Sequence, residues 1–144
     1  MRHRSDLAAA EAAKQKSLQL LRAALNKKAS NPVLIRLEGL TSITDYFLII
    51  SGGSGKQVKA IAEAVLEEGR KSRLERFSAE GVQQGNWALL DYGDVIVHIF
   101  QPSIREFYDL EGLWAEAPRE VFPDDILRDI EMVKAEEEDE WSDF

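Results

Sequence analysis

Residues 85–100 read Gly-Asn-Trp-Ala-Leu-Leu-Asp-Tyr-Gly-Asp-Val-Ile-Val-His-Ile-Phe, and the fold turns on how this stretch pairs with itself. Two β-rich runs, 87–90 and 95–100, flank Asp91-Tyr92-Gly93-Asp94. A two-residue loop with glycine second, set between apolar runs, predicts a hairpin. With Tyr92-Gly93 as the loop, Asp91 pairs with Asp94, Leu89 with Ile96 and Trp87 with His98. Side chains alternate between faces. Trp87, Leu89, Asp91, Asp94, Ile96 and His98 therefore share one face, and Ala88, Leu90, Val95, Val97 and Ile99 the other. The second set is uniformly apolar and predicts a core face. The first adds a tryptophan, a histidine and two turn-end carboxylates, a mixture that ordinary core does not need.

Working outward on the N-terminal side, residues 46–51 form an almost unbroken apolar run, which predicts a central strand buried on both faces. Residues 33–37 predict a shorter strand, and Pro32 at its start marks an edge or a strand beginning. After Gly52-Gly53, Ser54 followed by Gln57 fits a capping box. Val58, Ile61, Ala62, Val65 and Leu66 then recur at helical spacing, a stripe wide enough to lie on a sheet. That helix is expected to end near Ser72-Arg73, with a short strand at 76–78 and a loop at 80–85. Residues 5–29 predict a first helix capped by Ser5, with Leu18, Leu21 and Leu25 as its stripe. Its Ala-rich part before Leu18 has no clear stripe and is expected to be undocked. Beyond the hairpin, Pro102-Ser103 opens one last short helix running to Trp114.

The expected organisation is an N-terminal helix at 1–30, an α/β domain at 31–117 and an acidic C-terminal extension at 118–144. Within the extension, 124–133 could form a short amphipathic helix. The like-charged run 135–144 predicts a solvated segment, so the extension is expected to be mobile. The fold class is α/β, a single domain with a mixed β-sheet flanked by helices.

A net charge of −8 over 144 residues conceals a gradient. Residues 1–28 hold seven Lys/Arg against two Asp/Glu, residues 29–114 eight against twelve, and residues 115–144 three against twelve. An acidic body argues against a broad nucleic-acid face and suits a basic protein partner. With no cysteine there is neither disulfide nor thiolate site. No apolar run approaches the roughly 20 residues of a membrane span, and the N-terminus lacks a signal peptide's apolar region. A soluble, cytoplasmic protein is expected.

Three stretches have a chemical look that plainer readings match. Gly52-Gly53-Ser54-Gly55-Lys56 has a phosphate-loop look, but Gln57 stands where a hydroxyl must reach Mg²⁺ and Ile50 where the first glycine belongs; a capped helix start explains it. A strand, a Gly-Ser turn and a helix also open the nucleotidyltransferase fold. No closely spaced carboxylate pair follows to hold two metals. His98 has only His3 for company, so neither a histidine metal cluster nor a histidine triad can be built. His98 reads first as a packed, hydrogen-bonded residue and second as a partner contact, and Trp87 carries a similar ambiguity.

The residues then carry a resemblance. Ser42-Ile43-Thr44-Asp45-Tyr46-Phe47, Ser51-Gly52-Gly53-Ser54 with Gln57-Val58, and Ala60-Ile61-Ala62 resemble the ribosomal silencing factor family, also called RsfS or Iojap. So do Glu80-Gly81, Trp87, the run from Leu90 to His98, and Phe107-Tyr108-Asp109-Leu110-Glu111-Gly112-Leu113-Trp114. The likeness runs from about residue 18 to 115, and Asp91-Tyr92-Gly93-Asp94-Val95-Ile96-Val97-His98 is its most specific part. It implies a nucleotidyltransferase-like fold without that activity, hence no catalytic residues, metal or cofactor. It implies binding to the large ribosomal subunit through the fourteenth protein of the large-subunit series. Seated there, the domain would obstruct joining of the small subunit and lower translation; organellar relatives act in large-subunit assembly. A homodimer is also expected. The expected partner-binding residues are Glu80, Trp87, Leu89, Asp91, Tyr92, Asp94, His98 and Tyr108.

Overall fold

Residues 46–51 and 95–100 are the two most apolar strand segments of the chain, and they lie side by side at the middle of one sheet. The computed structural model describes residues 4–122, with side chains from residue 8 onward. In chain order the elements are α1 (Arg4–Leu25), β1 (Ser30–Arg36), β2 (Tyr46–Ser51), α2 (Gly55–Lys71), β3 (Ser78–Glu80), β4 (Trp87–Asp91), β5 (Val95–Phe100), α3 (Pro102–Tyr108), α4 (Leu110–Leu113) and β6 (Arg119–Val121). The sheet runs β3-β4-β5-β2-β1-β6. Only β2 and β5 are parallel; the other neighbours are antiparallel. Every residue of β2 and β5 is buried, as continuous apolar strands require.

The two faces of the sheet are covered unequally. On one, α1 and α2 pack Leu20, Leu21, Ala24, Val58, Ile61 and Val65 against Leu48, Ile50, Leu90, Val97 and Ile99. On the other, Val33, Ile35, Phe47, Ile49, Ile96 and Phe100 form a smaller cluster, covered by the short α3–α4 segment through Ile104, Leu110 and Trp114. The alternation expected along the hairpin therefore holds, with Ala88, Leu90, Val95, Val97 and Ile99 all on the helix side.

The hairpin register differs from expectation by two residues. Asp91 pairs with Ile96, Leu89 with His98 and Trp87 with Phe100. The turn is closed by the Tyr92 N–H donating to Val95 O at 2.9 Å. Its loop is Gly93-Asp94, with Gly93 at φ +85°. The physical reason is that a Tyr92-Gly93 loop of the favoured kind would force Tyr92 to positive φ, whereas glycine in the first loop position takes that geometry without steric cost. A slip of two preserves the faces, which is why the alternation survived the error.

Three further expectations are corrected. α1 is docked before Leu18: Ala10, Ala13 and Ser17 are buried, because alanine and serine let the helix approach closely without a leucine stripe. β1 is not an edge, since β6 pairs with it through Val33–Val121, Leu34–Glu120 and Ile35–Arg119. The sheet thus takes its sixth strand from residues that composition had assigned to the extension. The expected single last helix is broken at Asp109, which adopts a left-handed conformation (φ 45°, ψ 59°) and caps α4 by accepting the Gly112 N–H. The expected helix at 124–133 and the acidic run at 135–144 lie outside the described residues.

Candidate functional site

The less covered sheet face carries an aromatic group centred on Trp87. β4 presents Trp87 and Leu89 there, half-buried, and β3 places exposed Glu80 opposite Leu89. The Trp87 indole stacks on Phe100 (4.8 Å between centroids) and lies against Tyr108 of α3 (4.8 Å). Its Nε1–H donates to His98 Nδ1 at 3.1 Å. Trp87 and His98 are therefore diagonal neighbours across the ladder rather than opposite ones.

His98 is buried among Phe47, Trp87 and Phe100, edge-to-face with Phe47 at 4.5 Å. Accepting at Nδ1 from Trp87 fixes the neutral tautomer with its proton on Nε2, and Nε2 has no hydrogen-bond partner. Burial pushes the imidazole pKa down to about 4. His98 is thus a neutral packing residue that orients Trp87, and its ring does not reach the surface.

The remaining expected site residues divide between places. Asp91 Oδ1 accepts the Gly93 N–H at 2.8 Å and so holds the turn. Asp94 forms an ion pair with Lys16 of α1 at 2.7 Å, on the helix side of the sheet. Tyr92 is buried on that side against Gly69 of α2, where a Cβ on the glycine would lie 2.7 Å from the tyrosine oxygen. The structure therefore gathers Glu80, Trp87, Leu89 and Tyr108 around one face, with His98 beneath them, and sends Tyr92 and Asp94 to the other.

Sequence reasoning missed Phe107 and Leu113. They are 81% and 72% exposed on α3 and α4, beside Tyr108 at 51%. A cleft of about 470 Å³ runs between α3 and the start of β4, lined by Trp87, Ile104, Phe107 and Tyr108 together with Gln84 and Asn86. The available signal was length: a seven-residue helix carrying Ile104, Phe107 and Tyr108 has one face to bury and more apolar surface than that face can hold.

The glycine-rich start of α2 is satisfied by its own chain. Ser54 accepts the Gln57 N–H at 3.1 Å, and Gln57 Oε1 accepts the Gly53 N–H at 2.6 Å. The Gln57 amide then donates to Lys27 O and Lys28 O, tying this helix start to the end of α1. Among the described residues, no three His, Asp or Glu side chains come together as a metal-holding group.

Fold and site together define a small single-domain α/β protein with a six-stranded mixed sheet whose distinctive surface is an aromatic, partly uncovered sheet face. A family model described as "Ribosomal silencing factor during starvation" matches residues 10–143, and the chain belongs to that family. Ribosomal silencing factor RsfS of Halalkalibacterium halodurans is 41% identical over 104 residues, covering 69% of this chain and 89% of the relative. A mouse protein named mitochondrial assembly of ribosomal large subunit protein 1 is 30% identical over 100 residues, covering 61% of this chain and 44% of its own. The crystal structure of a Chromobacterium violaceum protein superposes with a TM-score of 0.69 at 31% identity, over 71% of this chain and 85% of the other.

Proposed function

We propose that this protein is a cytoplasmic translational repressor. In this reading it seats the Trp87 face on the large ribosomal subunit, through the fourteenth large-subunit protein, and so excludes the small subunit. The observation that carries the reading is the aromatic surface that half-buried Trp87 forms with exposed Tyr108 and Phe107, on a face with little helix cover. Half-buried or exposed aromatic side chains grouped with apolar neighbours are what an interface hot spot presents before it is covered. Glu80 and Asp91 beside it supply negative charge toward a basic partner. The mechanism is steric: a domain seated on one subunit's contact surface competes with the other subunit, and no bond is made or broken.

Co-sedimentation with purified large subunits tests it. Tyr108→Ala removes an exposed ring and should leave the fold intact while weakening binding by about 2 kcal/mol, roughly 30-fold. Trp87→Phe keeps the stacking partner for Phe100 and should weaken binding less. Lys59→Glu, on α2 at the opposite face, should bind normally. If both aromatic variants fold and bind like the wild type, this face is not the ribosomal contact.

The name of the mouse relative favours a second reading, assembly of the large subunit. Gradient fractionation separates the two: a silencer travels with mature free large subunits, an assembly factor with their precursors.

A further inference from the structure

Two stretches of this chain that meet in space carry no carboxylate. Residues 12–37 contain six Lys/Arg and residues 46–62 contain two, and neither stretch has an Asp or Glu. Three of these cations are neutralised: Lys14 pairs with Glu120, Lys16 with Asp94 and Arg36 with Glu38. Among the described residues the others, Arg22, Lys27, Lys28, Lys56 and Lys59, have no carboxylate partner. The fold gathers them at one end of the sheet. Lys27 and Lys28 follow α1, Lys56 and Lys59 lie in the first turns of α2, and the Gln57 amide joins the two by donating to Lys27 O and Lys28 O. Arg22 lies one turn earlier, its carbonyl accepting the Asn26 N–H.

The other end of the strands holds the carboxylates. Asp45 O accepts the Leu37 and Glu38 N–H groups, and the Asp45 N–H donates to Asp94 O. Asp91 holds the same hairpin turn, so Glu38, Asp45, Asp91 and Asp94 gather there. The length of β2 separates the two ends, about 17 Å at roughly 3.3 Å per residue, which is about twice the physiological screening length. The acidic average of the body therefore does not cancel the field over the basic rim. Carboxylates flank the rim: Glu63 lies one turn beyond Lys59, and Glu106 and Asp109 lie on the α3–α4 side of the sheet, beside Arg105.

We propose that this rim is a contact for the phosphodiester backbone of RNA. Its exposed residues from 26 to 31 and from 53 to 56 are all polar or glycine. It offers no aromatic or aliphatic anchor, which a protein interface needs at its centre and where lysine is depleted. It offers no ring on which a base could stack, so the contact is to phosphates and is independent of sequence. The 84–86 loop, which contributes to the Trp87 cleft, lies against Gly55 at the edge of the rim. A protein on the aromatic face and RNA beside it thus fit one assembly. That the polyanion is RNA rests on the ribosomal reading; that the rim takes phosphates does not.

Fluorescence anisotropy of the full-length protein with a labelled RNA duplex of about 20 base pairs tests it. At about 50 mM salt the Kd should be micromolar, and log K should fall against log salt with a slope of about −3 to −4, slightly under one for each phosphate met. Lys27→Gln with Lys28→Gln should weaken binding at least about tenfold and reduce the slope by about two. Lys71→Gln with Arg76→Gln removes the same charge at and beyond the other end of α2, and should bind within about twofold of the wild type. Tyr108→Ala should bind the duplex normally, so failure of the aromatic face as a ribosomal contact is told apart from failure of the rim. Absence of salt-dependent binding, or equal losses in the two double variants, overturns the proposal. So does equally tight binding of polyglutamate of matched charge, which would assign the rim to an acidic polypeptide.

Discussion

His98 shows how one buried side chain can set a pH limit. Its pKa of about 4 lies below the ordinary histidine value near 6.5 because burial disfavours the imidazolium. Above pH 6.5 both folded and unfolded chains hold the neutral ring and nothing is lost. As pH falls from 6.5 toward 4, the unfolded chain takes up a proton that the native protein refuses. Stability then declines by up to about 3 kcal/mol. His98→Gln keeps an acceptor for the Trp87 indole and removes the titration. Urea denaturation should therefore show about 2 kcal/mol less loss between pH 7 and 5 in the variant than in the wild type. An identical pH dependence in the two proteins would mean that His98 is not the titrating group.

At the level of elements, the start of α2 does two jobs with two residues. Ser54 caps the helix, and Gln57 links that cap to the turn that follows α1 by bonds to Lys27 O and Lys28 O. Ser54→Ala should cost about 1 kcal/mol, the usual value of a side-chain cap. Gln57→Ala should cost at least as much, although alanine has the higher helix propensity, because it frees the Gly53 N–H and two carbonyls together. Chemical denaturation of both variants checks this. A neutral Gln57→Ala would show that the link between the helices contributes nothing to stability.

For the whole molecule, the uneven charge distribution bears on how it finds a partner. The charges of residues 1–122 balance, so the long-range field comes from the C-terminal segment and from the separation of basic α1 from the rest. If a basic surface is the target, the association rate with large subunits should fall several-fold between about 50 and 300 mM salt, because steering acts over a Debye length. Stopped-flow measurements with a labelled protein would show it. A rate independent of salt would leave shape and the aromatic face as the sole basis of recognition.

The features legible in the sequence are those that contiguous residues decide. Alternation along 87–100 assigned the faces, the unbroken apolar run at 46–51 marked a central strand, and Ser54 with Gln57 marked a helix start. Each rests on a local period or a cap, whose physics is complete within a few residues. The hairpin register was less legible, because a glycine at Gly93 suits either loop frame until the φ required of Tyr92 is considered. Other features were decided by tertiary packing. The docking of the Ala-rich half of α1, the recruitment of Arg119–Val121 as a sixth strand, and the turning of Asp94 toward Lys16 all depend on what lies across the gap. So does the exposure of Phe107, Tyr108 and Leu113: the sequence determines that they are apolar, but only the folded sheet determines that, among the described residues, no element covers them. Burial belongs to pairs of surfaces, and a sequence specifies one surface at a time.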